Sequence, residues 1–253
     1  MTLAGKTLLE RVVLNAQKAA KIAGECDTLV ATDDDRIAQH AEKLGVPVTM
    51  TDPALDSGSA RAFAAAQQQL PAPRGVINLQ GDAPFIAPGV IADLIAQLRS
   101  GDAPVVTPVY QLSWDRLDQL RDHKRLAAFS GTTCIRDKQG RALWFSKTIV
   151  PAIRNEETLR RREPAASAAL SPVWQHLGLY AYTMEALSWF TKTAQGPYEK
   201  LEGLEQLRFL ENGWDIATIA VTPPQHALSG IDTPQDLKLA EAAIARFGEP
   251  FES

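Results

Sequence analysis

The sequence predicts a layered α/β protein, and three observations carry that prediction. Apolar residues recur with two alternating periods: short runs of strand formers, then longer stretches at helical spacing. The run Gly75-Val76-Ile77-Asn78-Leu79 is largely apolar, as strands buried on both faces of a parallel sheet are. Finally, 253 residues that are 45% hydrophobic and 22% charged suffice for one substantial core and are ordinary for a globular chain.

Taken in order, residues 8–22 read as an amphipathic helix ending near Gly24. Thr28-Leu29-Val30-Ala31-Thr32 is a strand stopped by Asp33-Asp34-Asp35. Residues 37–44 are helical and close at Gly45, and Val46-Pro47-Val48-Thr49 is a short extended piece. A helix over 59–70 leads to the strand at 75–79, a helix at 90–98 and a strand at 103–109. Residues 134–145 have the form of a hairpin turning at Asp137-Lys138-Gln139-Gly140. The segment 155–169, containing Arg160-Arg161-Arg162, reads as an exposed loop or loose helix with a solvated charged face. A strand at 177–182, helices at 184–193 and 198–212, a strand at 215–221 and a helix over 234–247 complete one domain. Residues 248–253 are expected to be a loose tail.

The net charge of −4 gives no global attraction to nucleic acid or to an acidic membrane, so anion binding must come from local arrangement. Cys26 and Cys134 lack metal-ligand spacing and read as reduced buried thiols. No apolar run approaches the ~20 residues of a membrane helix, and the opening Met1-Thr2-Leu3-Ala4-Gly5-Lys6 does not resemble a signal peptide. The expected location is the cytoplasm.

Several segments offer chemistry. In Asn78-Leu79-Gln80-Gly81-Asp82-Ala83-Pro84 a strand ends in a polar tripeptide, and the carboxyl ends of strands are where α/β sheets hold ligands. Asp82 is offered there as a carboxylate, although an aspartate at such a place also organises turns. In Ile231-Asp232-Thr233-Pro234-Gln235-Asp236, Thr233 can cap a helix that starts at Pro234, which leaves Asp232 outside it. Two such carboxylates could share a hard cation such as Mg2+, which takes one or two carboxylates plus substrate phosphates. In Leu201-Glu202-Gly203-Leu204-Glu205-Gln206-Leu207, the leucines give a buried stripe and Glu202, Glu205 and Gln206 a polar face beside it. Asp56-Ser57-Gly58-Ser59-Ala60-Arg61 opens a helix with free backbone N–H groups and a guanidinium, a combination suited to anions. His176, beside a strand, fits a structural or a functional role, and Phe145-Ser146-Lys147 closes a strand with a hydroxyl and a cation.

In order, these segments resemble the 3-deoxy-manno-octulosonate (Kdo) cytidylyltransferase family, and the agreement runs from Gly5 to about Leu239. Val30-Ala31-Thr32-Asp33 is similar to the family's second-strand motif, and Asn78 to Pro84 to its N-V-Q-G-D-E-P. Phe145-Ser146-Lys147 is similar to F-S-R, and His176-Leu177-Gly178-Leu179-Tyr180 to H-L-G-I-Y. Leu201 to Leu207 follows L-E-x-x-E-Q-L, and Ile231-Asp232-Thr233-Pro234 matches V-D-T-P. The resemblance implies a three-layer nucleotide-diphospho-sugar transferase fold with a mostly parallel sheet. It also implies a homodimer, with the dimerisation and sugar-binding region at roughly 130–190. The implied reaction is CTP plus Kdo giving CMP-Kdo and pyrophosphate for lipopolysaccharide synthesis. Asp82 and Asp232 would hold Mg2+ and act in catalysis. Ser57, Ser59, Arg61 and Gly81 would bind the nucleotide, and Gln80, His176, Tyr180, Glu202 and Gln206 the sugar.

The sequence departs from the family pattern in places. The family usually has His where Asp56 stands, Glu where Ala83 stands and Lys near Thr133, differences that fit a modified octulosonate. Family members also open with a strand running into P-A-R-x-x-S-x-R-x-P-G-K, whereas Gly5-Lys6-Thr7 resembles a later G-K-P element. The expectation is that the first, central strand and the triphosphate loop are absent from this chain, which puts its turnover in doubt.

Overall fold

A computed structural model describes residues 1–162, 169–225, 231 and 234–251. The elements run β1 (Thr2–Leu3), β2 (Lys6–Thr7), α1 (Leu8–Ala23), β3 (Val30–Thr32), α2 (Asp35–Lys43), β4 (Val48–Met50), α3 (Gly58–Ala66) and β5 (Gly75–Asn78). Then come α4 (Pro88–Ser100), β6 (Val105–Ser113), α5 (Trp114–Leu126), β7 (Thr133–Arg136), β8 (Ala142–Ser146), α6 (Glu156–Arg162) and β9 (Leu170–His176). The last are β10 (Tyr180–Thr183), α7 (Met184–Lys192), α8 (Pro197–Glu202), α9 (Gln206–Glu211), β11 (Ile216–Ala220) and α10 (Pro234–Phe247). This is a mixed α/β chain that divides into two units. One comprises Met1–Val105, Leu179–Lys192 and Pro224–Ser253, and the other Val106–Gly178 and Thr193–Pro223.

In the first unit, the Thr7 hydroxyl accepts the Glu10 N–H at 3.1 Å and starts α1. The apolar side of α1, with Leu8, Val12, Val13 and Ala19 buried, packs against α4. Val13, Val30, Ala41 and Val46 join α1, β3 and α2 in one apolar cluster. Leu3, Leu8, Phe85, Ile231 and Ala240 form a second, which seats the segment after β5 against β1 and α10. A Cβ at Gly75 would lie 2.6 Å from Leu98 Cδ2 and 2.8 Å from the Tyr182 carbonyl, so only glycine lets α4 and β10 close on this end of β5. At the chain's end Glu249 pairs with the buried Arg11, and the Phe251 carbonyl accepts from Lys18 at 3.1 Å.

The second unit orders its strands β6-β9-β7-β8, with β11 also on β6. The β7–β8 hairpin turns where expected: Asp137 Oδ1 accepts the N–H groups of Gln139 at 2.9 Å and Arg141 at 2.8 Å. Its core contains Tyr110, Leu112, Trp114, Leu117, Leu120 and Val173. Arg160 lies in a helix, α6, one of the two forms expected for this segment, but its side chain is not merely solvated. It bonds to Glu156 and Asp118 and stacks 4.5 Å over the Trp114 ring.

Several expectations need correction. The larger sheet is not mostly parallel: β5/β10, β6/β9, β7/β8 and β7/β9 are antiparallel, while β3 and β4 pair in parallel apart from it. For β7 and β8 the short turn permits nothing else, because parallel neighbours need a long crossover. β5 is half-buried along its length instead of buried on both faces. Among the described residues β3 and β5 each pair with one strand, leaving an unpaired edge on both. The strand expected at 177–182 begins only at Tyr180, as β10, and β9, which ends at His176, was not anticipated. The helix expected at 198–212 is broken at Gly203, which has φ 63°, giving α8 and α9. Leu201 accordingly leaves the supposed stripe and is 73% exposed. Helix α5 and the β1–β2 hairpin were not anticipated.

Candidate active site

The candidate residues fall on both units, and each group is coherent within its own. In the first unit β5 ends at Asn78 and the chain turns, with the Ala83 N–H bonded to the Gln80 carbonyl at 3.1 Å. Ala83, Phe85 and Ile86 then plunge into the core, so the turn stands on a buried base. Two further bonds hold it. The Ile231 N–H donates to the Asp82 carbonyl at 3.2 Å, and Asn15, fully buried on α1, donates to the Pro84 carbonyl at 2.8 Å. Gln80 and Gly81 are exposed, and Asp82 is half-buried. Its carboxylate has no hydrogen bond or ion pair among the described residues, although its own carbonyl is held by Ile231. Asp232 lies outside the described residues. Tyr180 on β10 stands opposite Asn78, bringing it to the same end of β5, and its ring stacks on Tyr182 at 5.6 Å.

At the start of α3 the Ser57 hydroxyl accepts the Ala60 N–H at 3.1 Å, a capping bond. Ser59 is buried, so Ser57 is the more accessible of the two serines. Arg61 donates to Thr51 Oγ1 at 2.5 Å and to Asp33 Oδ2 at 2.9 Å, which fixes its fork at the carboxyl ends of β3 and β4. Asn78 lies 3.6 Å from where a Gly58 Cβ would stand, so the end of β5 meets the start of α3.

In the second unit, the Glu202 carboxylate at the end of α8 accepts the Ser146 hydroxyl at 2.8 Å and the Lys147 N–H at 2.7 Å. Gln206 opens α9 and is buried, and its Nε2 has no hydrogen-bond partner among the described residues. The break at Gly203 thus puts Glu202 and Gln206 on two helices instead of one face. Glu205 sits between them, half-buried. His176 shares a hydrogen bond of 2.8 Å with Thr107 Oγ1, and Phe145 meets its ring edge-on at 5.3 Å. Burial, then the charge of Lys147, pushes its pKa down to about 3, so the imidazole is neutral. In an NMR titration its ring signals are expected not to move between about pH 8 and pH 5. A midpoint near the free value of about 6.5 would contradict this. Because the unfolded chain takes up this proton first, stability falls as pH drops from about 6.5 toward about 3.

Three residues escaped the sequence reading: Asn15, Thr107 and Lys124. Each is a polar residue whose importance lies in a contact across the fold, and no local pattern marks it. Thr133, where the resemblance leads one to expect a lysine nearby, is buried and donates to the Thr148 carbonyl at 2.8 Å.

A capped helix start beside a strand whose following turn bears a carboxylate without a partner among the described residues is how α/β enzymes present themselves to nucleotide phosphates. The protein is a nucleotidyltransferase by class. The chain belongs to the cytidylyltransferase family, whose model matches residues 1–216. It is 35% identical over 248 residues to the 3-deoxy-manno-octulosonate cytidylyltransferase of Maricaulis maris, covering 98% of this chain and 90% of the relative. It is 33% identical over 241 residues to the enzyme of the same name from Chlamydia pneumoniae, covering 95% of this chain and 84% of that one. A solved structure of CMP:2-keto-3-deoxy-manno-octonic acid synthetase complexed with CTP superposes with TM-score 0.79 at 28% identity, over 97% of this chain and 90% of that one. The 4-diphosphocytidyl-2C-methyl-D-erythritol synthase of Anaerococcus prevotii, at 13% identity and TM-score 0.57, shares the fold.

Proposed function

We propose that this protein joins CTP to Kdo, giving CMP-Kdo and pyrophosphate. The observation that carries the reading is the match, over 95% and 98% of the chain, to relatives named for this reaction. The sugar's anomeric oxygen forms a bond to the α-phosphorus as the bond to the β-phosphate oxygen breaks. Pyrophosphate leaves with that electron pair, and the hydroxyl proton passes to solvent. Ser57, Arg61 and the exposed backbone at Gly81 bind the nucleotide, with Ser59 supporting the helix start. Gln80, Tyr180, neutral His176, Glu202 and Gln206 bind the sugar. The buried amide of Gln206 donates to a sugar oxygen, and Glu202, whose two oxygens are each bonded once, retains lone pairs for hydroxyls.

A half-buried, unpaired carboxylate is a hard oxygen donor, and Asp82 therefore fits Mg2+. No group of three or more acidic, histidine or cysteine side chains among the described residues could hold a metal by itself. Asp82, together with Asp232, would hold the ion with the help of substrate phosphates. When bound, Mg2+ offsets the charge that builds on the phosphates during transfer. The reading includes a three-layer fold, a homodimer and cytoplasmic residence. No described helix is long and apolar enough to cross a membrane.

Two alternatives have observations in their favour. Asp56, Ala83 and Thr133 favour a modified octulosonate or related sugar acid as acceptor. The unpaired edges of β3 and β5 favour a relative that keeps the sugar-side residues without turnover. Pyrophosphate release with CTP, Mg2+ and a panel of octulosonates separates all three: release with Kdo is expected, and no release with any sugar sinks the reading.

A further inference from the structure

We infer that Lys124 is a positioning residue whose ammonium fixes Lys147, the residue after β8 whose N–H holds Glu202. The inference rests on the reading of Glu202 and Gln206 as sugar-binding residues. Lys124 lies in the last turn of α5 with its side chain half-buried. Its Nζ donates to the carbonyls of Ser130 and Lys147 at 2.5 Å, of Gly131 at 3.0 Å and of Ala128 at 3.3 Å. An ammonium has three protons, so at least one is shared among the four carbonyls that gather round it. They come from the turn that follows α5 and from the end of β8, and the charge ties the two together.

Lys147 is the residue shared by this clamp and the sugar-side carboxylate. Its C=O is taken by Lys124, while its N–H goes to Glu202 Oε2 at 2.7 Å. Ser146, one residue earlier, gives its hydroxyl to Glu202 Oε1 at 2.8 Å. Both sides of Lys147 are therefore fixed by charged partners, and charge-assisted bonds are the strong ones. The carbonyl and the N–H lie on the two peptide units that meet at the Lys147 Cα, so removing the ammonium loosens the backbone of Lys147 and with it the N–H that orients Glu202. Burial, then the cation of Lys147, pushes the Lys124 pKa down, and the anion of Glu202 opposes them.

The test compares full-length Lys124→Met, Lys124→Arg and Glu202→Gln with the wild type. Kdo binding is measured by calorimetry, and KM and kcat by turnover with CTP and Mg2+. Lys124→Met is expected to raise the Kdo dissociation constant and KM together by about tenfold, the loss of one charge-assisted bond. The KM for CTP stays within about twofold, and Lys124→Arg, which keeps the charge and the donors, recovers most of the loss. Equal weakening of CTP and Kdo, or unchanged Kdo affinity in Lys124→Met beside weakened Glu202→Gln, overturns the positioning role alone. Unchanged affinity in both variants overturns the sugar-side reading with it. If Lys124→Met does not fold, Lys124→Gln carries the same comparison.

Discussion

Replacing Asp82 with asparagine is expected to lower turnover of CTP and Kdo by at least about a hundredfold while leaving the fold intact. Asparagine has nearly the shape of aspartate, and the carboxylate makes no bond among the described residues that the change would break. The turn itself is held by backbone groups: Ala83 to Gln80, Ile231 to Asp82, and the Asn15 amide to Pro84. What is lost is one anionic oxygen donor for Mg2+, which is worth several kcal/mol in the transition state, and about 2.7 kcal/mol is a hundredfold in rate. Steady-state kinetics across a range of Mg2+ concentrations checks this. Wild-type kcat in Asp82→Asn at every Mg2+ level would remove Asp82 from the metal site.

The largest effect on stability is expected at Glu199. This residue is 3% exposed and accepts two bonds from Arg208, at 2.7 Å to Nε and 2.5 Å to a terminal nitrogen. Arg208 also donates to the Thr193 carbonyl at 3.0 Å. Glu199→Ala removes the anion and leaves the cation buried without it, at a cost of about 3–5 kcal/mol. Replacing both residues by apolar ones of similar volume is expected to restore most of the loss, since two desolvated charges gain little over good packing. Urea unfolding of the single and double variants decides the matter. A Glu199→Ala midpoint equal to wild type would show the pair to be energetically idle. The consequence reaches function, because Glu199 and Arg208 join α8 to α9, the two helices that carry Glu202 and Gln206.

The residue pattern disclosed elements wherever periodicity and punctuation agreed. α1, α2, α4 and α7 lie where apolar spacing put them, and Gly24 and Gly45 stand at the expected stops. β5 and the β7–β8 hairpin were equally plain. α5 escaped because Trp114–Leu126 is mostly polar and charged, and only Trp114, Leu117 and Leu120 are buried. The direction of strand pairing was not legible either, since an apolar run looks alike beside a parallel or an antiparallel neighbour. The break at Gly203 was written in the sequence, but the leucine spacing across it suggested a continuous helix.

The site was legible in proportion to its contiguity. Asn78 to Pro84 and Leu201 to Leu207 stood out because their chemistry is gathered in one segment. Asn15 and Lys124 did not, because each acts on a carbonyl far away in sequence: Asn15 on Pro84, and Lys124 on Lys147. Arg61 was picked out as a donor fork for anions, and the sequence did not show that Asp33 and Thr51 hold it in place.

The central claim is that the sugar's own oxygen attacks the α-phosphorus of CTP. Incubation of the protein with CTP, Mg2+ and Kdo carrying heavy oxygen at its anomeric hydroxyl, followed by mass spectrometry of the products, tests it most directly. The account predicts CMP-Kdo with the label in its bridging oxygen and unlabelled pyrophosphate. Label in the pyrophosphate, or its release without CMP-Kdo, would contradict it.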